Sequence, residues 1–314
     1  MIEKIATRDA YGDALVEMGK DHSFFVLDAD LAEATKTIKF KKAFPDRHIE
    51  CGIAEANMLS VAAGMAAAGQ IVFASTFAMF AAGRAFEQIR NSVAYPRLNV
   101  KIGATHGGIT VGEDGATHQC LEDLALMRTL PGMTVLNPAD AVEAKWAVEA
   151  AYRQDGPVYM RFGRYPVPVL YESQHHFEVG KGVKLAEGED VTLVATGIMV
   201  SQALQAAELL KADGIKAEVI DIHTIKPLDA ELIAASAMKT GAVVTAEEHS
   251  VIGGLGSSVA ECVCERCPVP VLRVGIEDQF GRSGSVPALL EAYGLTPGHI
   301  AEKARAAVGQ KKPV

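Results

Sequence analysis

What most limits the fold of this chain is an alternation, repeated along its length, of short apolar runs with longer helix-like runs. Residues 6–20 carry apolar side chains at helical spacing, and 24–27 reads as a buried strand. A second strand at 48–53 runs into a helix over 54–68, which is rich in Ala and Met and poor in charge. A helix apolar nearly all round is expected to be buried. Strand 70–75 leads to a helix over 77–95, and strand 98–104 leads through a polar loop to a helix over 121–130. Strand 135–136 precedes a helix over 141–153, N-capped by Asp140, and strand 157–162 closes the unit. This rhythm predicts a mostly parallel sheet with helices on both faces.

The rhythm breaks at 165–182, which holds Pro166, Pro168 and two adjacent histidines. It restarts with strands at 191–196, 217–222, 242–246 and 271–274, and helices at 199–212, 229–239, 253–266 and 297–308. A chain of 314 residues is long for one core. The expected fold class is α/β in two domains, 1–165 and 188–314, joined by a linker at 166–187.

Charge and composition exclude several functions. The formal net charge is −9, and basic runs are confined to Lys39–Lys42 and Lys311–Lys312, which argues against nucleic acid and anionic membranes as partners. No apolar run reaches membrane-spanning length, and the first residues lack a signal-peptide core. Five cysteines, an odd and low number, suit a reducing cytoplasm.

The densest chemistry lies at 105–118, Thr-His-Gly-Gly-Ile-Thr-Val-Gly-Glu-Asp-Gly-Ala-Thr-His. Two histidines, two adjacent acids and four glycines leave the carboxyl end of a strand, where α/β sheets hold their ligands. Asp28 and Asp30 end another buried strand. Glu55 stands where a strand meets a buried helix; a carboxyl there can share a proton with a ligand, or can simply complement the helix dipole. Phe77 and Phe80 share a face, as core packing or as a bed for a flat ligand. Arg161 and Arg164 form a pair suited to phosphate or carboxylate, or to plain surface charge. Gly253-Gly254-Leu255-Gly256 lacks the third glycine of a dinucleotide loop, and Cys262, Cys264 and Cys267 lack a fourth zinc ligand nearby.

Taken in order, Gly-Ile-Ala-Glu-Ala-Asn-Met (52–58), Ser-Thr-Phe-Ala-Met-Phe (75–80), the 104–119 loop and Asn-Pro-Ala-Asp (137–140) resemble transketolase. Ala195-Thr196-Gly197, Glu247-Glu248-His249 and Gly253–Gly256 resemble that family's C-terminal domain. The resemblance implies a pyrimidine-binding domain followed by the C-terminal domain. The family's diphosphate-binding domain is marked by Gly-Asp-Gly, and no such triplet occurs here. The chain therefore resembles the C-terminal subunit of a split transketolase. The N-terminal domain is expected on a separate partner subunit, along with the Mg2+ or Ca2+ ion, and no metal is expected on this chain.

The resemblance also implies roles. Glu55 corresponds to the glutamate that bonds the aminopyrimidine of thiamine diphosphate and promotes its imino form. Phe77 and Phe80 correspond to aromatics packed on that ring; Gly83 stands where the family often has a third, a tyrosine. His106 and His118 correspond to histidines that contact substrate oxygens, Asp114 to an acid that reads a sugar hydroxyl, and Arg164 to the arginine that holds the sugar phosphate, with Arg161 a nearby second. Asp30 and Arg8 match positions near the cofactor or the substrate entrance. Gly107-Gly108 departs from the Asp-Ser of many transketolases, which bears on sugar preference. The expected reaction is transfer of a two-carbon ketol unit between sugar phosphates, in an assembly with dimer contacts through the pyrimidine domain. The alternatives are the beta subunit of a 2-oxo-acid dehydrogenase, deoxyxylulose-phosphate synthase, and a non-catalytic partner subunit.

Overall fold

The computed structural model describes residues 3–311; Lys312, second of the C-terminal basic pair, lies outside the described residues. In chain order, the first half contains β1 (Lys4–Ile5), α1 (Thr7–Gly19), β2 (Phe25–Asp28), α2 (Ala32–Thr35), α3 (Ile38–Ala43), β3 (His48–Glu50), α4 (Glu55–Ala67) and β4 (Val72–Phe77). It continues with α5 (Phe86–Gln88), β5 (Val100–Thr105), α6 (Asp123–Arg128), β6 (Thr134–Leu136), α7 (Ala141–Arg153), β7 (Val158–Arg161) and β8 (Val167–Pro168). The second half contains β9 (Val183–Ala186), β10 (Val191–Ala195), α8 (Met199–Ala212), β11 (Ala217–Asp221), β12 (Thr224–Lys226) and α9 (Ala230–Thr240). It ends with β13 (Val243–Ser250), α10 (Leu255–Arg266), β14 (Val271–Ile276), α11 (Val286–Ala292) and α12 (Pro297–Gly309).

The first sheet has the order β12-β6-β7-β5-β4-β2-β3. Its strands are parallel except β12, which pairs antiparallel with β6. The second sheet runs β14-β13-β10-β11-β9, parallel except for the edge strand β9. The expected alternation of strand and helix is therefore present in both halves, and β1 and β8 form a small antiparallel pair beside them. Sequence reading missed β1, α2, α3, β8, β9, β12 and α11, each short or lacking a clear period.

Because β2, β3, β4, β5 and β7 run the same way, Asp28, Glu50, Phe77, Thr105 and Arg161 all end at one edge of the first sheet. Apolar clusters cover both faces. One includes Ala74, Ile102, Leu124 and Met127 and continues without a break into Ile222, Ile225 and Leu255 of the second half. The other packs α1 and α7 through Tyr11, Leu15, Ala144 and Val148. Helix α8 and α12 cover the second sheet.

Two expectations are corrected. Helix α4 is buried on one side only: Met58, Leu59, Ala62 and Ala66 are inside, whereas Asn57, Ser60, Val61 and Gly64 are exposed and Ile53 ahead of them is 76% exposed. The helix expected from 77 to 95 begins later, because Phe77 is the last residue of β4. Beyond it the backbone forms two wide π-type turns, Phe80–Arg84 and Ile89–Ala94, around the short α5. Such turns are rare and concentrate at functional sites.

Lys101 lies inside the first sheet with no exposed surface, its ammonium donating to the carbonyls of Gln154 (2.6 Å) and Gly156 (2.7 Å). Burial lowers its pKa to about 7. Above that pH the folded chain holds Lys101 neutral while the unfolded chain keeps it charged up to about pH 10. The unfolded state then binds more protons, so this residue makes stability rise with pH across the interval, by at most about 1.4 kcal/mol per unit. Denaturant midpoints through this window for the native chain and Lys101→Met are expected to show that rise only in the native chain.

Candidate active site

The loop between β5 and α6 is built on glycines and on buried charge. His106 opens it with a φ of 59°, and Gly108 follows with a φ of 80°. A tight turn, Ile109–Asp114, comes next. Gln119 holds the turn by donating to the carbonyls of Ile109 (3.2 Å), Gly112 (3.2 Å) and Arg282 (2.9 Å). Beneath it lies Arg161, only 3% exposed. Its Nε donates to Asp123 Oδ2 (2.9 Å), and its fork donates to the carbonyls of Cys120 (3.2 Å) and Glu248 (2.9 Å). Tyr159 donates to the same Asp123 oxygen at 2.8 Å. Burial alone would lower the Arg161 pKa, but Asp123 and Glu248 beside it hold it above the ordinary arginine value.

Arg161 is accordingly not placed with the other site residues. Its Nε and Nη2 are spent inside the protein and the residue is 3% exposed, so the expectation of a second phosphate arginine is corrected on the ground of burial. The Gly107-Gly108 pair also gains a packing reason: a side chain on Gly107 would strike Arg161, and one on Gly108 would strike the Glu248 carboxylate.

The second half braces this loop through Glu247-Glu248-His249, whose role the sequence did not disclose. Glu248 Oε1 accepts from the Thr110 amide at 2.6 Å. The two oxygens of Glu247 accept from Leu255 and Gly256, both at 2.7 Å, at the start of α10. His249 Nδ1 faces the Ser250 carbonyl (2.7 Å), which can only accept, so Nε2 takes the Ala125 amide at 3.3 Å. Gly253–Gly256 is the turn that lets α10 meet Glu247, and no dinucleotide loop forms there.

The remaining residues make a connected row along the sheet edge. Glu55 is 4% exposed, and its Oε1 accepts from Arg84 at 3.0 Å. The Arg84 guanidinium lies over the Phe80 ring, 4.0 Å from its centre. Phe80 stacks with Phe77 at 5.5 Å, and Phe77 stacks with the His106 imidazole at 3.7 Å. His118 closes on the two phenylalanines edge-on, at 5.4 Å from Phe80 and 6.2 Å from Phe77. The two phenylalanines thus meet, though as a strand end and a turn and not as one helix face.

His106 is held on both sides. Arg8 Nη1 lies 3.0 Å from Nε2, and since arginine only donates, Nδ1 carries the proton toward Thr105 Oγ1 at 2.9 Å. Burial, helped by Arg8 and Arg164, lowers its pKa to about 3, so the ring is neutral. Arg8 also donates to the Ala34 carbonyl at 3.1 Å, and burial lowers its own pKa. Arg164 donates to the Val111 carbonyl and stands 3.4 Å from Asp114 Oδ2. Arg8, Arg164, His106 and Asp114 therefore ring one end of the row, with Glu55 at the other. Asp30 is separate from these contacts: it is exposed with a φ of 61°, and its amide donates to Glu50 Oε1 at 2.7 Å.

The geometry suits a flat, N–H-bearing ring at one end. A guanidinium is planar, donates to carboxylate and stacks on aromatic faces. Arg84 does all three between Glu55 and Phe80, so a ring of that kind fits the residues present.

Residues 3–168 match the transketolase pyrimidine-binding domain, and residues 180–300 match the transketolase C-terminal domain. The chain belongs to the transketolase family. It is a C-terminal subunit of the split type. It is 50% identical to the putative transketolase C-terminal section of Methanocaldococcus jannaschii over 300 residues, covering 94% of each chain. It is 48% identical to the 6-deoxy-6-sulfo-D-fructose transketolase subunit SqwH of Clostridium sp., covering 99% of this chain and 97% of that one. Against human transketolase the identity is 40%, across 96% of this chain but only 49% of the human one. A solved structure of a split-gene transketolase, an inactive β4 tetramer, superposes with a TM-score of 0.91 at 54% identity, covering 99% of this chain and 100% of that one. Dependence on thiamine diphosphate is a property of the family. Among the described residues no helix is long and apolar enough to cross a membrane.

The two arginines separate in a stability measurement. Arg161→Ala leaves Asp123 buried without its partner and is expected to lower unfolding stability by about 3–5 kcal/mol. Arg164→Ala, at a half-exposed site, is expected to change it by no more than about 0.5 kcal/mol. Urea denaturation of both variants checks the contrast.

Proposed function

We propose that this chain, with a separate N-terminal subunit, transfers a two-carbon ketol unit from a ketose phosphate to an aldose phosphate, as in the pentose phosphate conversions of the cytoplasm. The observation that supports it most is the Glu55–Arg84–Phe80 arrangement, a buried carboxylate and an aromatic face already occupied by a planar cation. When bound, thiamine diphosphate supplies a nucleophilic carbon and an electron sink for breaking a carbon–carbon bond beside a carbonyl. Glu55, Phe77 and Phe80 are the residues that would hold its pyrimidine. Asp30 is assigned to the cofactor entrance. The diphosphate and its Mg2+ or Ca2+ ion are assigned to the partner.

For this chain's own residues the proposed division of work is as follows. Glu55 gives and takes a proton at Oε1 once Arg84 has swung away from it. His106 accepts a substrate hydroxyl at Nε2 when an anionic substrate draws Arg8 toward its phosphate, and His118 bonds the carbonyl oxygen. Asp114 takes a sugar hydroxyl, and Arg164 takes the terminal anion. Two guanidiniums bind phosphate or sulfonate alike, and one relative is named for a sulfosugar, so a sulfonated ketose is the second substrate to assay. The functional units proposed are 1–165, which carries these residues, and 188–314, with 166–187 between them. The exposed small-residue face of α4, with Ile53 beside it, supports subunit contact through the first unit, in an assembly of two copies of each subunit.

The test mixes this chain with its partner, thiamine diphosphate and Mg2+, and follows ketol transfer from xylulose phosphate. Glu55→Gln is expected to lower kcat about a hundredfold or more; wild-type rates in that variant would overturn the assignment. Arg164→Ala is expected to raise KM for the phosphorylated donor about tenfold with kcat little changed. Arg84→Ala removes the resident cation from Glu55. It is expected to lower the cofactor concentration for half-maximal rate by up to about fivefold, since a pair whose arginine is more than half exposed is worth about 1 kcal/mol.

A further inference from the structure

Three side chains that the proposed reaction does not use meet on the seam between the two halves. Glu143 lies in the first turn of α7, Asp221 ends β11 and His223 follows it. All three are essentially without exposed surface. One donor atom from each converges, and the three atoms lie within 4.8 Å of one another.

The hydrogen bonds around them fix which atoms these are. Glu143 Oε2 accepts from the Ala139 amide at 2.6 Å, and Asp221 Oδ2 accepts from the Tyr171 hydroxyl at 2.6 Å. His223 Nε2 lies 3.2 Å from the Glu178 carbonyl, which can only accept, so the ring proton is on Nε2. With that proton on Nε2, the lone pair of the neutral imidazole is on Nδ1. Glu143 Oε1, Asp221 Oδ1 and His223 Nδ1 are left over, buried and without hydrogen-bond partners. Nδ1 and Oε1 stand 3.0 Å apart but are not aligned as a hydrogen bond. Among the described residues neither carboxylate has a lysine or arginine partner.

Three lone-pair donors facing one point want a positive charge between them. Two donors about 2.1 Å from a tetrahedral ion lie roughly 3.4 Å apart, close to the spacing Nδ1 and Oε1 already have. Each donor residue has its second polar atom tied to a backbone group or to a tyrosine hydroxyl, which is how metal ligands are oriented. Imidazole with two carboxylates suits zinc or manganese, and three protein donors leave a fourth position for water. The rings of Trp146 and Phe177, 4.8 and 5.6 Å from His223, also line an open groove beside α7.

We propose that Glu143, Asp221 and His223 form a binding site for a divalent first-row cation, Zn2+ foremost, that ties α7 of the first half to the end of β11 in the second. This revises the expectation of no metal on the chain, and it is independent of the reaction proposed above.

The test uses the full untagged chain, stripped with a chelator and dialysed against Zn2+ and, separately, Mn2+, with metal measured by mass spectrometry. One ion per chain is expected with Zn2+, together with a rise in thermal unfolding temperature. Glu143→Gln and His223→Ala are expected to lose both. Co2+ put in place of Zn2+ is expected to show visible d–d bands without thiolate charge transfer. That readout on the wild-type chain decides the matter even where a variant fails to fold. The proposal is overturned by a native chain that holds well under one Zn2+, by a Glu143→Gln chain that still holds one, or by a Co2+ spectrum dominated by thiolate, which would put the ion on Cys262, Cys264 or Cys267.

Discussion

A single buried guanidinium holds the candidate active-site loop in place. The loop after β5 has little regular structure of its own, so something must replace the ladder of bonds a strand or helix would supply. Arg161 does this by joining the sheet edge to Asp123 at the start of α6, to the carbonyl of Cys120 within the loop, and to the carbonyl of Glu248 from the second half. Glu248 then returns the contact by binding the Thr110 amide. A charge taken out of water is tolerated when an opposite charge and hydrogen bonds offset its desolvation, and here they also fix geometry. The adjacent Gly107 and Gly108 are small because Arg161 and Glu248 occupy the space their side chains would need. This accounts for a loop motif that otherwise reads only as a change in substrate preference.

Arg84 shows a second economy. It bonds the buried carboxylate of Glu55 and covers the face of Phe80 at once, while more than half of its own side chain is exposed. An acid and an aromatic face that would otherwise be open to solvent are kept dry by a group that can leave. Arg84 closes the first of the two wide turns, Phe80–Arg84, which begins at the phenylalanine it covers.

Much of this was legible in the sequence, for identifiable reasons. The strands of the first sheet are apolar runs buried on both faces, so they stand out, and their carboxyl ends mark the 105–118 loop and Asp28 to Asp30 by topology; Glu55, the phenylalanines and Arg8 owe their roles to the family resemblance. Glu55, Phe77, Phe80, His106 and His118 do lie together, and Arg8, Arg164 and Asp114 lie at one end of them. Arg161 misled because a strand-end arginine three residues from Arg164 has the same pattern whether it faces solvent or Asp123. The partner lay far along the chain, and periodicity carries no information at that range. The exposed side of α4 was misjudged for a related reason, since small apolar residues look alike whether covered by the same chain or by another. The Glu143, Asp221 and His223 cluster was invisible because no spacing rule links a helix turn to a strand end across the two halves.

The strand β12 carries a consequence for how the protein is made. It belongs to the second half yet completes the first sheet by pairing with β6. During synthesis the first half emerges with the edge of β6 open, and that edge stays unpaired until the ribosome has added residues through Lys226. An open edge of buried-type strand is a template for pairing with other chains. The two halves are therefore linked in time as well as in space, and the first cannot reach its final form before the early part of the second, through Lys226, has been translated. An evolutionary cut between these two halves would leave each fragment incomplete.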